Sequence, residues 1–155
     1  MSESVSEPLY GHRFTWKYVS WGPFIAIAAL HVACIAAPFT FSWSALGIAA
    51  LLWWIAGGLG ICLCYHRLLT HRSFTTPRWF EYFLTTLGCL NWQGGPIRWV
   101  GTHRIHHKES DTPLDPHSPN HGFDWAHMLW CLLKDPYGRT LSDFAPDLSR
   151  DRVMV

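Results

Sequence analysis

Between Tyr18 and Tyr65 the chain carries no Asp, Glu, Lys or Arg over a run of 48 residues. A membrane-spanning helix uses about 20 residues, so the run holds two such helices and a tight connection. Pro38, with Thr40, Ser42 and Ser44 around it, marks that connection, because proline interrupts a helix and small hydroxyl residues favour turns. The pattern predicts one helix over residues 21–37, with Pro23 in its first turn, and a second over 44–65. Trp79 to Trp92 is apolar with scattered Glu81, Thr85, Thr86 and Asn91. It is too short to span and is expected to lie at the interface or against the bundle. Gln93-Gly94-Gly95-Pro96 breaks it. A further helix is expected from Ile97 to Glu109, ended by the turn-rich stretch from Asp111 to Pro116. Phe123 to Leu133 repeats every three to four residues but is again too short to span. Lys134 to Val155 is polar without a pattern.

The fold class predicted is therefore an all-α membrane protein: a two-helix transmembrane hairpin followed by cytosolic and interfacial helices. It divides into a polar N-terminal tail (1–17), the hairpin (18–65) and a cytosolic and interfacial region rich in histidine (66–155). Met1 to Pro8 lacks a basic leader ahead of an apolar core, so a disordered tail is expected there rather than a cleaved signal. Arg13 and Lys17 precede the first helix, and Arg67, Arg72 and Arg78 follow the second, while the connection has no cation. The positive-inside rule puts both ends of the hairpin in the cytoplasm.

Composition sharpens this picture. Apolar residues make up 49% of the 155 and charged residues 15%, against about 25% charged in an average soluble protein. Ten tryptophans suit a membrane–water interface. A net charge of +1 speaks against nucleic acid as a partner, which needs a basic patch. The five cysteines, Cys34, Cys62, Cys64, Cys89 and Cys131, include no C-x-x-C pair. They read as small buried apolar residues in a reducing, cytosol-facing setting.

The chemistry lies in two histidine clusters, His66-Arg-Leu-Leu-Thr-His71 and His103-Arg-Ile-His106-His107. A helix advances about 100° per residue. His103, His106 and His107 then share an arc of about 100°, so three imidazoles point into one space. Neutral imidazole suits iron, copper, zinc or nickel. His66 and His71 diverge by about 140° on the same helix. Either the helix ends between them, or they serve two ions. His31 reads as a neutral side chain packed within the first helix, and His12 as unrelated to the site. His117, His121 and His127 are isolated and read as supporting or structural. His117 and Asp111 are the candidates to stand behind the ligands.

His66–His71 matches the His-x4-His box of the membrane fatty acid desaturases, and His103–His107 matches their His-x-x-His-His box. Ser110-Asp111-Thr112, Asp115-Pro116-His117-Ser118-Pro119, Gln93-Gly94-Gly95-Pro96, Gly101-Thr102 and Gly122-Phe123 also resemble the Δ9, stearoyl-type branch, over roughly residues 10 to 150. The resemblance is closer to bacterial and plant members than to animal acyl-CoA enzymes, which carry Arg-Asp where this chain has Gly101-Thr102.

The resemblance implies an O2-dependent enzyme that introduces a cis double bond into a saturated acyl chain at two irons. His66, His71, His103, His106 and His107 are the metal ligands it implies. The substrate would be a membrane lipid or acyl thioester, and the electron donor a ferredoxin or a cytochrome b5-like carrier. The family's third box, a further His-x-x-His-His, has no counterpart after His107. The chain is accordingly expected to correspond to the N-terminal half of a desaturase, completed by ligands of a missing C-terminal half and inactive alone. Two alternatives stand beside this reading: a membrane di-iron hydroxylase, and a non-catalytic desaturase fragment.

Overall fold

The structure, a computed structural model, describes residues 16–135 and 138–155. The tail expected over Met1 to Pro8, together with His12 and Arg13, lies outside them. Among the described residues the regular structure is helical, apart from a single antiparallel bridge between Val19 and Leu133. Four helices organise the chain: α1 (Trp21–Cys34), α2 (Trp43–Thr70), α3 (Arg78–Cys89) and α4 (Pro96–Glu109).

The segments Trp21–Phe39 and Trp43–Thr70 are long and apolar enough to cross a membrane, with mean hydropathies of 1.9 and 2.1. Such helices in a soluble protein would form its core. Here 0% and 11% of their most apolar stretches are buried, and Val32 and Leu51 stand open to the surroundings. Only lipid accommodates that much apolar surface, and the chain is an integral membrane protein. Between the two segments Ala37–Phe39 forms one 3-10 turn around Pro38. The Ser42 hydroxyl then accepts the Ala45 N–H at 3.2 Å and caps α2, as serine does at helix N-termini.

α2 departs from expectation in length and kind. It runs to Thr70 rather than Tyr65, α-helical over Trp43–Trp53 and π-helical over Trp54–Thr70. Hydropathy marks where the apolar face thins near Tyr65, but it carries no signal for the widened i→i+5 hydrogen bonding of a π-helix. About 20 residues suffice to span, so His66 and His71 stand beyond the apolar slab on a continuation of the same helix.

Two compact units share the chain: residues 1–34 with 105–140, and residues 35–104 with 141–155. In the first, the start of α1 is pinned by backbone pairing. Ser20 N–H donates to Leu132 O at 2.8 Å and Lys134 N–H to Tyr18 O at 2.7 Å. Val19, Trp125 and Leu133 form its small core. The apolar stretch expected over residues 123–133 is a π-turn, Trp125–Leu129, followed by Trp130–Leu132.

In the second unit, Tyr65, Leu68 and Leu69 of α2 pack with Leu84 of α3, Val100 of α4, and Ala145 and Leu148. The tail read as patternless contributes two short helices, Leu141–Phe144 and Pro146–Ser149; Leu148 of the second and Ala145 between them are buried in that core. α3 lies along the π-helical part of α2, and two glycines make the approach possible. A Cβ on Gly60 would come 2.5 Å from the Gly88 backbone N, and one on Gly88 would come 2.4 Å from the Tyr65 ring. Small residues at a crossing let helix backbones meet. Gly88→Ala is expected to cost about 1–3 kcal/mol, the usual range for overpacking, and to lower the thermal midpoint in detergent. Gly47→Ala, where nothing lies within 4 Å, is expected to leave it unchanged.

None of the five cysteines forms a disulfide, and only Cys64 is buried. The expectation of five buried thiols holds for that one. Cys34 and Cys62 sit on the open faces of the spanning segments, and Cys89 is exposed at the end of α3.

Candidate metal centre

The π geometry decides how His66 and His71 meet. In an i→i+5 helix, the backbone hydrogen bond joins residues five apart. The His71 N–H donates to His66 O at 3.1 Å, and the Thr70 hydroxyl donates to Tyr65 O at 2.7 Å. The helix then stops, with Arg72 at φ 52° in the left-handed region. The two rings consequently converge, their Nε2 atoms 3.2 Å apart. Of the two alternatives, a helix ending between the histidines or two separate ions, the first holds: His66 lies inside the helix and His71 at its C-cap. A change of helix type brings them together.

His103 joins them from α4, its ring centroid 4.9 Å from that of His66 and 5.7 Å from that of His71. Each of the three offers a ring nitrogen within 4.8 Å of the others. Two nitrogens bound to one ion at about 2.1 Å and at right angles lie about 3 Å apart, which matches the His66–His71 pair. The donor set is imidazole, which iron accepts, so these residues fit a metal of that kind. Trp99, one turn before His103, covers one side of the cluster, 4.8 Å from the His103 ring and 6.4 Å from that of His66. Its Nε1–H donates to Gln93 Oε1 at 2.9 Å.

A guanidinium holds this geometry from behind. Arg104 donates to Asp147 through both terminal nitrogens, at 2.7 and 3.0 Å, and also to Leu69 O at 2.9 Å and Phe144 O at 3.1 Å. One side chain thereby ties the end of α2, α4 and the tail helix. Arg72 also pairs with Asp147. The hydrogen bonds from Arg104, then those from Arg72, hold the Asp147 carboxyl well below the usual carboxylate range. No sequence signal joins positions this far apart.

In the first unit, His106 Nδ1 lies 2.9 Å from Asp115 Oδ1. The His117 ring stacks on His106 at 4.1 Å, with Trp130 next at 5.0 Å. His106, Asp115 and His117 also bring one ligand atom each within 4.8 Å of the others. Burial, then the neighbouring His106, push His117 below the ordinary histidine pKa. His107 follows in α4, its ring 5.7 Å from that of His106. Asp111 is exposed in the turn after α4, at φ 65°. The carboxylate that meets His106 is that of Asp115, which sequence reasoning noted only as part of a motif. The signal was available: Asp-Pro-X places a side-chain acceptor opposite the backbone two residues on, and His117 N–H donates to Asp115 Oδ1 at 3.1 Å. His121 packs near Trp125 and His127 stacks on Phe123. His31 bonds the Ile27 carbonyl of its own helix at 2.8 Å.

No family model matches the chain. It is 50% identical over 141 residues to the sn-1 stearoyl-lipid 9-desaturase of Anabaena variabilis, covering 90% of this chain and 52% of that protein. It is 49% identical over 115 residues to the Delta-9 acyl-lipid desaturase 1 of Arabidopsis thaliana, covering 74% and 37%. It is also 49% identical over 123 residues to an acyl-CoA 5-desaturase of Anemone leveillei, covering 76% and 38%. The chain spans about half the length, or less, of these relatives. With both histidine motifs inside the aligned stretch of a helical membrane protein, the chain belongs to the Δ9 branch of the membrane fatty acid desaturases.

Proposed function

We propose that this chain carries part of the iron site of an O2-dependent Δ9 fatty acyl desaturase, with His66, His71, His103, His106 and His107 as its ligands. The observation that carries the reading is the convergence of His66, His71 and His103 from two helices upon nitrogens within 4.8 Å of one another. Bound iron would supply the redox change that zinc lacks: two hydrogens leave adjacent methylenes, and O2, taking these with two electrons and two protons, departs as two waters.

The chain's own residues have other tasks. The histidines hold the metal, and the Arg104–Asp147 pair keeps α2 and α4 in register around it. Trp99 presents an apolar wall that excludes water from one side of the cluster. The substrate is a saturated acyl chain, carried on a membrane lipid as in the names of the Anabaena and Arabidopsis relatives. A ferredoxin or cytochrome b5-like protein delivers the electrons. The remaining ligands come from a segment equivalent to the rest of the relatives' length.

A hybrid tests this. Residues of this chain replace the matching 141 residues of the Anabaena desaturase, and the hybrid is expressed in cells that lack a Δ9 desaturase. Acyl chains with a new Δ9 double bond are the expected product. A hydroxylated product would favour the hydroxylase reading, and no product from a stably inserted hybrid would favour a non-catalytic fragment.

The cations Lys17, Arg67, Arg72 and Arg78 that flank the two spanning segments support a cytoplasmic side for the histidines. With the native cysteines replaced, a cysteine at Ser42 is expected to react with an impermeant maleimide from outside, and one at Ser73 only after the membrane is opened. The reverse pattern overturns the topology.

A further inference from the structure

We infer that Asp115 is the positioning residue of His106. Its carboxylate keeps the imidazole proton on Nδ1, so that Nε2 carries the lone pair a metal takes. The inference rests on the proposal that His106 is an iron ligand.

Three observations converge. Asp115 is 1% exposed, and its Oδ1 lies 2.9 Å from His106 Nδ1. A carboxylate oxygen accepts, so the ring nitrogen facing it must donate. The same Oδ1 accepts the His117 backbone N–H at 3.1 Å, which aims the carboxylate whether or not His106 is present. Finally, Asp115 Oδ2 is buried without a hydrogen-bond partner. Leaving a buried acceptor unmade costs about 1–3 kcal/mol, and more when it is charged. An asparagine or serine would close the same turn with less burial of charge. A carboxylate retained there serves a second purpose, and the imidazole edge at 2.9 Å is the group it faces.

The His106 ring is fixed in its other dimension too. His117 stacks on its face at 4.1 Å, tilted by 25°, and is itself backed by Trp130. Ring flipping would put Cδ2 where Nδ1 now faces the carboxylate, and it would have to break the hydrogen bond and disturb the stack. A carboxylate behind a ligating imidazole also raises the basicity of the far nitrogen, and its loss typically lowers metal affinity 10–100-fold.

The test reads the tautomer directly, before any metal is added. The full chain is labelled with 15N-histidine, placed in detergent micelles, and its ring nitrogens are correlated with the ring carbon-bound protons. A His106→Gln sample assigns the signals. In the metal-free wild type, His106 is expected to carry its proton on Nδ1. In Asp115→Asn the amide NH2 competes for the Nδ1 lone pair, so the Nε2–H form becomes populated. Titration with Co2+ is then expected to show affinity reduced 10–100-fold.

Asp115→Asn preserves shape, and an unchanged far-UV spectrum shows that it folds. An Nε2–H tautomer in the wild type overturns the assignment, and so does a His106 signal indifferent to the substitution. Failure of the wild type to bind metal refutes the ligand reading instead, while the tautomer still decides what Asp115 does.

Discussion

His103→Ala in the active hybrid is expected to abolish desaturation, with loss of activity exceeding the 10–100-fold typical of residues behind the ligands. His103 is the α4 member of the group that meets His66 and His71, with ring centroids 4.9 and 5.7 Å away. Its removal takes from that group the α4 imidazole that meets His66 and His71, and with it the hold on an ion there. Alanine is a better helix former than histidine, so α4 should persist and far-UV spectra should not change. Loss of Co2+ or Fe2+ binding by the isolated chain, measured with the fold intact, separates a ligand from a structural residue. Retained affinity and activity would remove His103 from the site. His127→Ala is the control: that ring stacks on Phe123 in the first unit, and its loss should leave both readouts unchanged.

How much of this was legible in the sequence depended on the range of the interaction. The 48-residue uncharged run announced the two spanning segments because hydropathy is local and lipid tolerates no ambiguity. The helix over residues 97–109 was found to within a residue, from the breaker ahead of it and the turn residues behind it. The end of α2 was placed five residues early, since nothing in composition distinguishes a π-helix from an α-helix. The same silence leaves the His66–His71 relation open, although five is the spacing that a π-type hydrogen bond joins.

The sequence offers Asp111 as a carboxylate to stand behind the ligands, and Asp115 only as part of a motif. The chain reverses after α4 through the positive φ of Asp111, and this delivers the later carboxylate to His106. The tail hides its two short helices for a related reason. Residues 134–155 hold too few apolar positions to show a period, yet Ala145 and Leu148 are fully or nearly fully buried. Their partners lie far back in the chain, as do those of Asp151, which pairs with Arg78 and accepts the Tyr82 hydroxyl at 3.1 Å.

That tail carries the second large expectation. Arg104→Lys is expected to destabilise the second unit by about 2 kcal/mol, within the range for a hydrogen bond to a charged group, and to loosen the histidine cluster. Lysine keeps the charge but lacks the planar fork, so it cannot serve Asp147 through two nitrogens while also satisfying the Leu69 and Phe144 carbonyls. A charge-only role would leave stability unchanged in the lysine variant, and that result would sink the clamp. The pH dependence follows from the same contact. Arg104 and Arg72 hold the Asp147 carboxyl below the ordinary range, so the folded state binds its proton less readily than the unfolded state does. The stabilisation is therefore fully present above the unfolded pKa, near 3.9, and is lost as pH falls below it toward the folded value. Because Asp147 remains about one-third exposed, solvent screening reduces the gain. Asp147→Asn is expected to flatten the loss of thermal stability below about pH 4, with little change above it. A cluster that loosens in Arg104→Lys should also bind Co2+ more weakly although every histidine is present. That outcome ties the geometry of the metal site to a salt bridge whose two members are 43 residues apart.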